Sequence, residues 1–216
     1  MKTHLFTLLL APVSAMAEVI DFEAAETGAA PPGWTITMTQ EGGAPRWSIE
    51  EDPSAPAGQK VLAQLSDDPT SGRFPLAVYD AVEMTDGEVA VRFKPISGRV
   101  DQAAGIVWRY RDENNYYVVR ANSLENNVVL YKVENGRRTS LSPVGRSGEY
   151  GVKHTVPSQR WSTLSVAFRG PAFTVSLDGE ALFDVEDATF ASPGKVGLWT
   201  KADSVTSFDA FEIATE

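Results

Sequence analysis

From residue 18 onward, apolar and polar side chains alternate in short runs, and most runs end in a turn signal. A period of two places successive side chains on opposite faces of a strand. The pattern predicts strands over 18–23, 34–39, 45–51, 60–65, 76–80, 87–95, 103–111, 115–122, 127–133, 137–142, 160–168, 172–178, 180–186, 194–201 and 204–213. No window beyond residue 17 carries a sustained helical period with caps, so no helix is expected. Many short strands at close spacing indicate an all-β fold, a two-sheet antiparallel sandwich.

The turns have a mechanism. Asn135-Gly136 and Asp178-Gly179 each separate two apolar runs. Asn-Gly and Asp-Gly tolerate the positive φ angles of a two-residue hairpin turn. Asp112-Glu113-Asn114-Asn115 joins two aromatic-rich runs and reads as a somewhat longer hairpin loop. Proline and glycine cluster over 27–33, 42–45 and 53–58, which mark loops within one domain rather than a linker.

The stretch 103–141 allows a reading of faces. On its first strand Ile106, Trp108 and Tyr110 share one side, and Val107, Arg109 and Arg111 share the other. On the second, Tyr117, Val119 and Ala121 read as core. On the third, Val129, Tyr131 and Val133 read as core, with Leu130 and Lys132 outward. One sheet face then carries Arg109, Tyr116, Arg120 and Lys132 as a candidate ligand-binding patch. A one-residue slip of register would exchange the faces.

Residues 1–17 read differently. Lys2 precedes an apolar run, and Ala15-Met16-Ala17 has the small-x-small form of a cleavage site. This is the pattern of a secretory signal peptide, too short for a membrane anchor. It predicts export to the periplasm or the extracellular space, with residues 18–216 as a single domain and no membrane span. The chain has no cysteine. Core packing alone must therefore hold it, and thiolate chemistry is excluded. The formal net charge of −10 repels phosphate backbones, so nucleic acid is not an expected partner.

The run from Gly105 to Tyr117, then Val128 to Gly136, resembles the concanavalin A-like lectin/glucanase superfamily, in its laminin G-like and 3-keto-disaccharide hydrolase branch. Gly194 to Trp199, Ser207 to Ile213, and Trp161 to Val166 before the Asp178-Gly179 hairpin carry the same resemblance. It implies a jelly roll of two curved sheets, one of which often forms a groove for sugar chains. Some members bind calcium. For a structural calcium joining the first and last strands, Glu23 and Asp209 have the right chemistry and position, with Ser66-Asp67-Asp68-Pro69 as the alternative.

Glucanases of that superfamily carry clustered carboxylates of the form Glu-x-Asp-x-x-Glu, because two carboxyls must flank the glycosidic bond. The sequence lacks that cluster. Asp184-Val185-Glu186-Asp187 is the nearest acidic run and reads as surface. His154 is the only histidine beyond residue 17 and no G-x-S-x-G elbow occurs, so neither a serine triad nor a multi-histidine metal site is expected. Trp108, Trp161 and Trp199 fit core positions, while Trp34 and Trp47 flank loops. The leading expectation is a non-catalytic glycan-binding or glycan-associated domain with no assigned catalytic residue. A 3-keto-glycoside hydrolase-type enzyme and an envelope protein-interaction module are the alternatives.

Overall fold

The computed structural model describes residues 17–216. The export segment read over 1–17 therefore lies, except for Ala17, outside the described residues. Sixteen strands run as β1 (Ala17–Ile20), β2 (Trp34–Thr39), β3 (Trp47–Glu51), β4 (Lys60–Gln64), β5 (Phe74–Met84), β6 (Gly87–Ser97), β7 (Ala103–Asp112) and β8 (Asn115–Asn122). They continue as β9 (Asn127–Glu134), β10 (Arg137–Ser140), β11 (Val152–Lys153), β12 (Ser162–Arg169), β13 (Ala172–Leu177), β14 (Glu180–Glu186), β15 (Gly194–Trp199) and β16 (Val205–Thr215). Every strand expected from the alternation is present. Only the two-residue β11 carried no pattern.

Two eight-stranded antiparallel sheets form the sandwich. The first has the order β14-β13-β12-β6-β16-β4-β3, with β1 also paired to β16. The second has the order β10-β9-β8-β7-β15-β5-β2, with β11 paired to β9. Asn135-Gly136 and Asp178-Gly179 close two-residue hairpins, with φ of 51° and 76° at the first and 49° and 81° at the second. The β7–β8 connection is shorter than its sequence suggests. Asp112 pairs with Asn115, leaving a two-residue turn whose Asp112 carboxylate accepts from the Asn114 N–H at 2.8 Å.

Alternation predicts an inner face, and the inner faces of both sheets meet in one core. Val89, Val91, Phe93, Leu164 and Val166 from the first sheet join Ile106, Trp108, Tyr117, Val119 and Leu130 from the second. Trp108 sits at its centre, stacked on Tyr117 and Phe168 at 5.4 and 5.9 Å, with the edge of Phe173 at 5.4 Å. Truncating an aromatic packed this way costs about 3–5 kcal/mol. Trp34 and Trp47 belong to this core too. Trp161 does not. It is half-exposed, donates to Ser54 Oγ at 3.1 Å and carries Lys94 over its ring.

A second apolar cluster draws only on strands of the second sheet: Phe74, Leu76 and Val78 of β5, Val107 of β7, Tyr116 and Val118 of β8, Val129, Tyr131 and Val133 of β9, and Trp199 of β15. By alternation these side chains point away from the first sheet. The second sheet is thus apolar on both faces, and its outer face includes Tyr116 of the expected patch.

Candidate functional site on the outer face of the second sheet

The four residues assigned to one ligand face do not share it. Tyr116 and Arg120 stand on the outer face, but Arg109 and Lys132 do not. Arg109 adopts φ of 46° at a register shift between Trp108 and Asp112, so it forms a β-bulge. The bulge turns its side chain toward the first sheet, where the guanidinium lies over Phe168 and Phe173. Its N–H groups donate to the carbonyls of Thr85, Phe190 and Gly170 at 2.6–3.1 Å. Past the bulge Tyr110 packs against the outer cluster instead of the core.

Lys132 was misplaced by register. Leu130 pairs with Val119 and Lys132 with Tyr117, so both share the inner side. Val129, Tyr131 and Val133 consequently face out, the reverse of the sequence reading. The Lys132 ammonium donates to Asp187 at 3.1 Å and Thr189 at 2.7 Å. Asp187 also accepts from the Tyr117 hydroxyl at 2.6 Å. Burial raises the Asp187 carboxyl, but bonds from Thr189, Tyr117 and Lys132 outweigh it and hold it below the usual range. The end of the acidic run 184–187 is thus a latch on the core edge.

Tyr116 and Arg120 are themselves almost wholly buried. The Tyr116 hydroxyl meets Thr39 Oγ1 at 2.7 Å, and burial pushes its phenol well above the ordinary range. Arg120 lies over the Tyr131 ring and donates to Glu125 at 2.8 Å and Asn127 at 2.6 Å. Both residues support the face without being open to solvent.

What is open is a groove of 640 Å³ beside them, lined by Gln40, Ser71, Gly72, Phe74, Asn135, Gly136, Arg137, Arg138 and Lys201. Its side wall is an arginine set among rings. The Arg138 guanidinium lies 4.4 Å from Tyr131, 4.7 Å from Phe74 and 5.7 Å from Trp199. Lys201 at the rim is paired with Asp101, which also accepts from Asn122. Tyr150, exposed on the loop after β10, bonds the Tyr131 hydroxyl and extends the face. Chemically the groove offers cationic and amide donors over a floor of buried rings.

No known protein-family profile matches the chain, and no curated protein matches it. Solved structures do match in shape. The carbohydrate-binding module CBM66 from Bacillus subtilis superposes with a TM-score of 0.62 at 18% identity, over 83% of this chain and 94% of that one. Domain 4 of AbnA, a GH43 extracellular arabinanase from Geobacillus stearothermophilus, in complex with arabinotriose, gives 0.57 at 15% identity, over 92% and 93%. A Bacillus licheniformis β-glucanase gives 0.54 at 12% identity, over 95% and 100%. The fold is a concanavalin A-like jelly roll.

The first and last strands of the jelly roll bring Glu23 and Asp209 to one loop. Glu23 Oε1 accepts from the Gln59 and Lys60 N–H groups at 2.8 and 2.6 Å, and Asp209 Oδ2 accepts from Ala57 at 2.8 Å. Burial raises the Asp209 carboxyl, and the charges of Glu23 and Asp21 add to that rise. Both side chains offer the hard oxygen donors calcium prefers. Among the described residues no three Asp, Glu, His or Cys side chains converge on a metal position, so backbone or water oxygens would have to complete such a site. Asp68, in the alternative loop, instead accepts from Gly43 and Thr70. His154 lies in a loop with Nδ1 near the Thr155 carbonyl.

Arg137, Arg138, Phe74 and Lys201 were missed as groove residues. Arg137 and Arg138 follow the Asn-Gly turn at once, so they could be placed at a hairpin tip. Their meeting with Phe74 and Lys201 depends on the order of strands across the sheet, which alternation does not encode.

Proposed function

We propose that this protein is an exported, non-catalytic carbohydrate-binding domain that holds a glycan on the outer face of its second sheet. The observation that carries the reading is the 640 Å³ groove walled by Phe74 and Arg138. Small-ligand sites pair an apolar floor with a few fixed polar groups, and here Gln40, Asn135 and Arg138 stand over Phe74. The likeness in fold to a carbohydrate-binding module and to an arabinanase domain solved with arabinotriose supports it. No carboxylate lines the groove. Glycoside hydrolysis by the usual route needs two, which supports binding over turnover.

Calcium at Glu23 and Asp209 belongs to the same proposal. The approach of Glu23 and Asp209 to the same loop, at Gln59 and Ala57, supports it, since each brings hard oxygen donors. Export to the periplasm or outside the cell rests on the pattern of residues 1–17.

The reading is tested with an array of neutral and acidic oligosaccharides. Binding to at least one glycan is expected, weakened by Phe74→Ala and by Lys201→Ala in protein that still unfolds cooperatively. Silence across the array, or binding that both variants leave intact, rejects it.

A further inference from the structure

We propose that the glycan is acidic, and that the groove takes a uronic-acid unit whose carboxylate pairs with Arg138, with the charge of Arg137 nearby on the groove lining. This rests on the carbohydrate reading above and narrows it to a substrate class.

Charge is the first observation. Acidic residues outnumber basic ones 29 to 19, yet the groove wall holds three cations and no carboxylate. Lys201 is already neutralised by Asp101. Arg137 and Arg138 supply positive charge with no acid beside them in the groove.

The second observation is the state of Arg138. Arg73 and Arg109, both buried, spend their donors on carbonyl oxygens, and Arg120 is paired with Glu125. Among the described residues Arg138 has no acidic partner, and its Nη1, like Arg120 Nε, has no hydrogen-bond acceptor. An unmet donor on a charged group costs more than an unmet neutral one. Arg138 as a residue is only half-buried and lines the groove, so a bound anion would give it the charge partner it lacks.

Geometry then separates acidic from neutral sugars. A neutral pyranose binds an aromatic wall by laying its C–H face on a ring. Here the guanidinium already lies over Tyr131 and Phe74, at 4.4 and 4.7 Å. A neutral ring would have to displace it. A carboxylate instead meets it, in the planar two-point geometry that guanidinium favours. The overall negative charge disfavours long polyanions, so the fit is to a short acidic stretch.

Calorimetry with the whole protein tests this, using oligogalacturonate, the same oligomer with its carboxyls reduced to alcohols, neutral arabino-oligosaccharides, and poly-glutamate. Oligogalacturonate should bind, and carboxyl reduction should weaken it about tenfold or more, the loss expected for a charge-assisted bond. Arg138→Gln should produce a similar loss. Arg137→Gln, at an exposed position, should fold in any case and produce a smaller loss, and binding should weaken with added salt. Equal affinity for the reduced oligomer, or binding to neutral sugars alone, overturns the inference while leaving the carbohydrate reading intact. Unchanged affinity in both variants overturns it too. Binding to poly-glutamate alone, or to nothing, overturns the inference, and the carbohydrate reading then falls only if the full array is silent too.

Discussion

Arginine plays two opposite parts in this molecule. Arg109 is an internal clamp, lowered from its ordinary pKa by burial yet wrapped in carbonyl oxygens from three separate segments. Lysine offers fewer donors and no planar fork, so Arg109→Lys leaves carbonyls unmet. Urea titration should show a loss of about 3 kcal/mol. A change below measurement error would mean that the clamp contributes nothing. Asp203 is the acidic counterpart. Burial pushes its carboxyl up, but the backbone N–H groups of Arg99, Val100 and Asp101 outweigh that and hold it below the usual range. A depressed pKa stabilises the fold above the unfolded value, near pH ~4, and that contribution disappears as pH falls through the folded value. Asp203→Asn should flatten the acid limb of the stability profile below about pH 4, as read by denaturant titration at several pH values. An unchanged limb removes Asp203 from the account.

At the scale of elements, alternation placed fifteen strands because most have one buried and one wetter face. It failed on β9 for a physical reason. Both faces of the second sheet are apolar there, and the one polar residue, Lys132, turns inward to Asp187, so the polarity contrast points to the wrong parity. The bulge at Arg109 was hidden as well, since a positive φ usually announces itself with glycine or asparagine. Its trace lies on the neighbouring strand. A Cβ on Gly194 would fall 2.6 Å from the Arg109 carbonyl carbon and 2.8 Å from its Cα, so β15 can approach the bulge only with glycine there. Gly194→Ala should cost about 1–3 kcal/mol, visible as a lower melting temperature. A neutral substitution would show that the bulge yields easily. The groove residues were out of reach for a related reason: two arginines could be placed on a hairpin tip, but not the strands that would meet them.

For the whole molecule, the sequence made the all-β class, the two-sheet plan and the jelly-roll likeness legible, because these follow from many weak signals that agree. A site needs a few residues placed correctly, and one bulge and one register shift were enough to split the expected patch. The proposed calcium acts at this scale, since Glu23 and Asp209 join the entry and exit strands to the loop around Ala57. A ligand of the folded state alone raises stability by mass action. Millimolar calcium should therefore raise the melting temperature of the wild type and not that of Asp209→Asn, and a chelator should reverse the gain. No shift in the wild type would exclude calcium from this position.

The place of β16 bears on how the chain reaches its native state. Residues 205–215 lie inside the first sheet, between β6 on one side and β4 and β1 on the other. Their partners are far apart in sequence, and such long-range pairing is slow to form. Until residue 205 has been synthesised, β6 has nothing to zip against on that side, and β3–β4 is a hairpin without a sheet. A ribosome-bound chain therefore leaves the first sheet unfinished until residues 205–215 have emerged. A chain truncated at residue 204 should stay protease-sensitive and lack cooperative unfolding, and adding a synthetic 205–216 peptide is the direct way to ask whether the missing strand alone restores it.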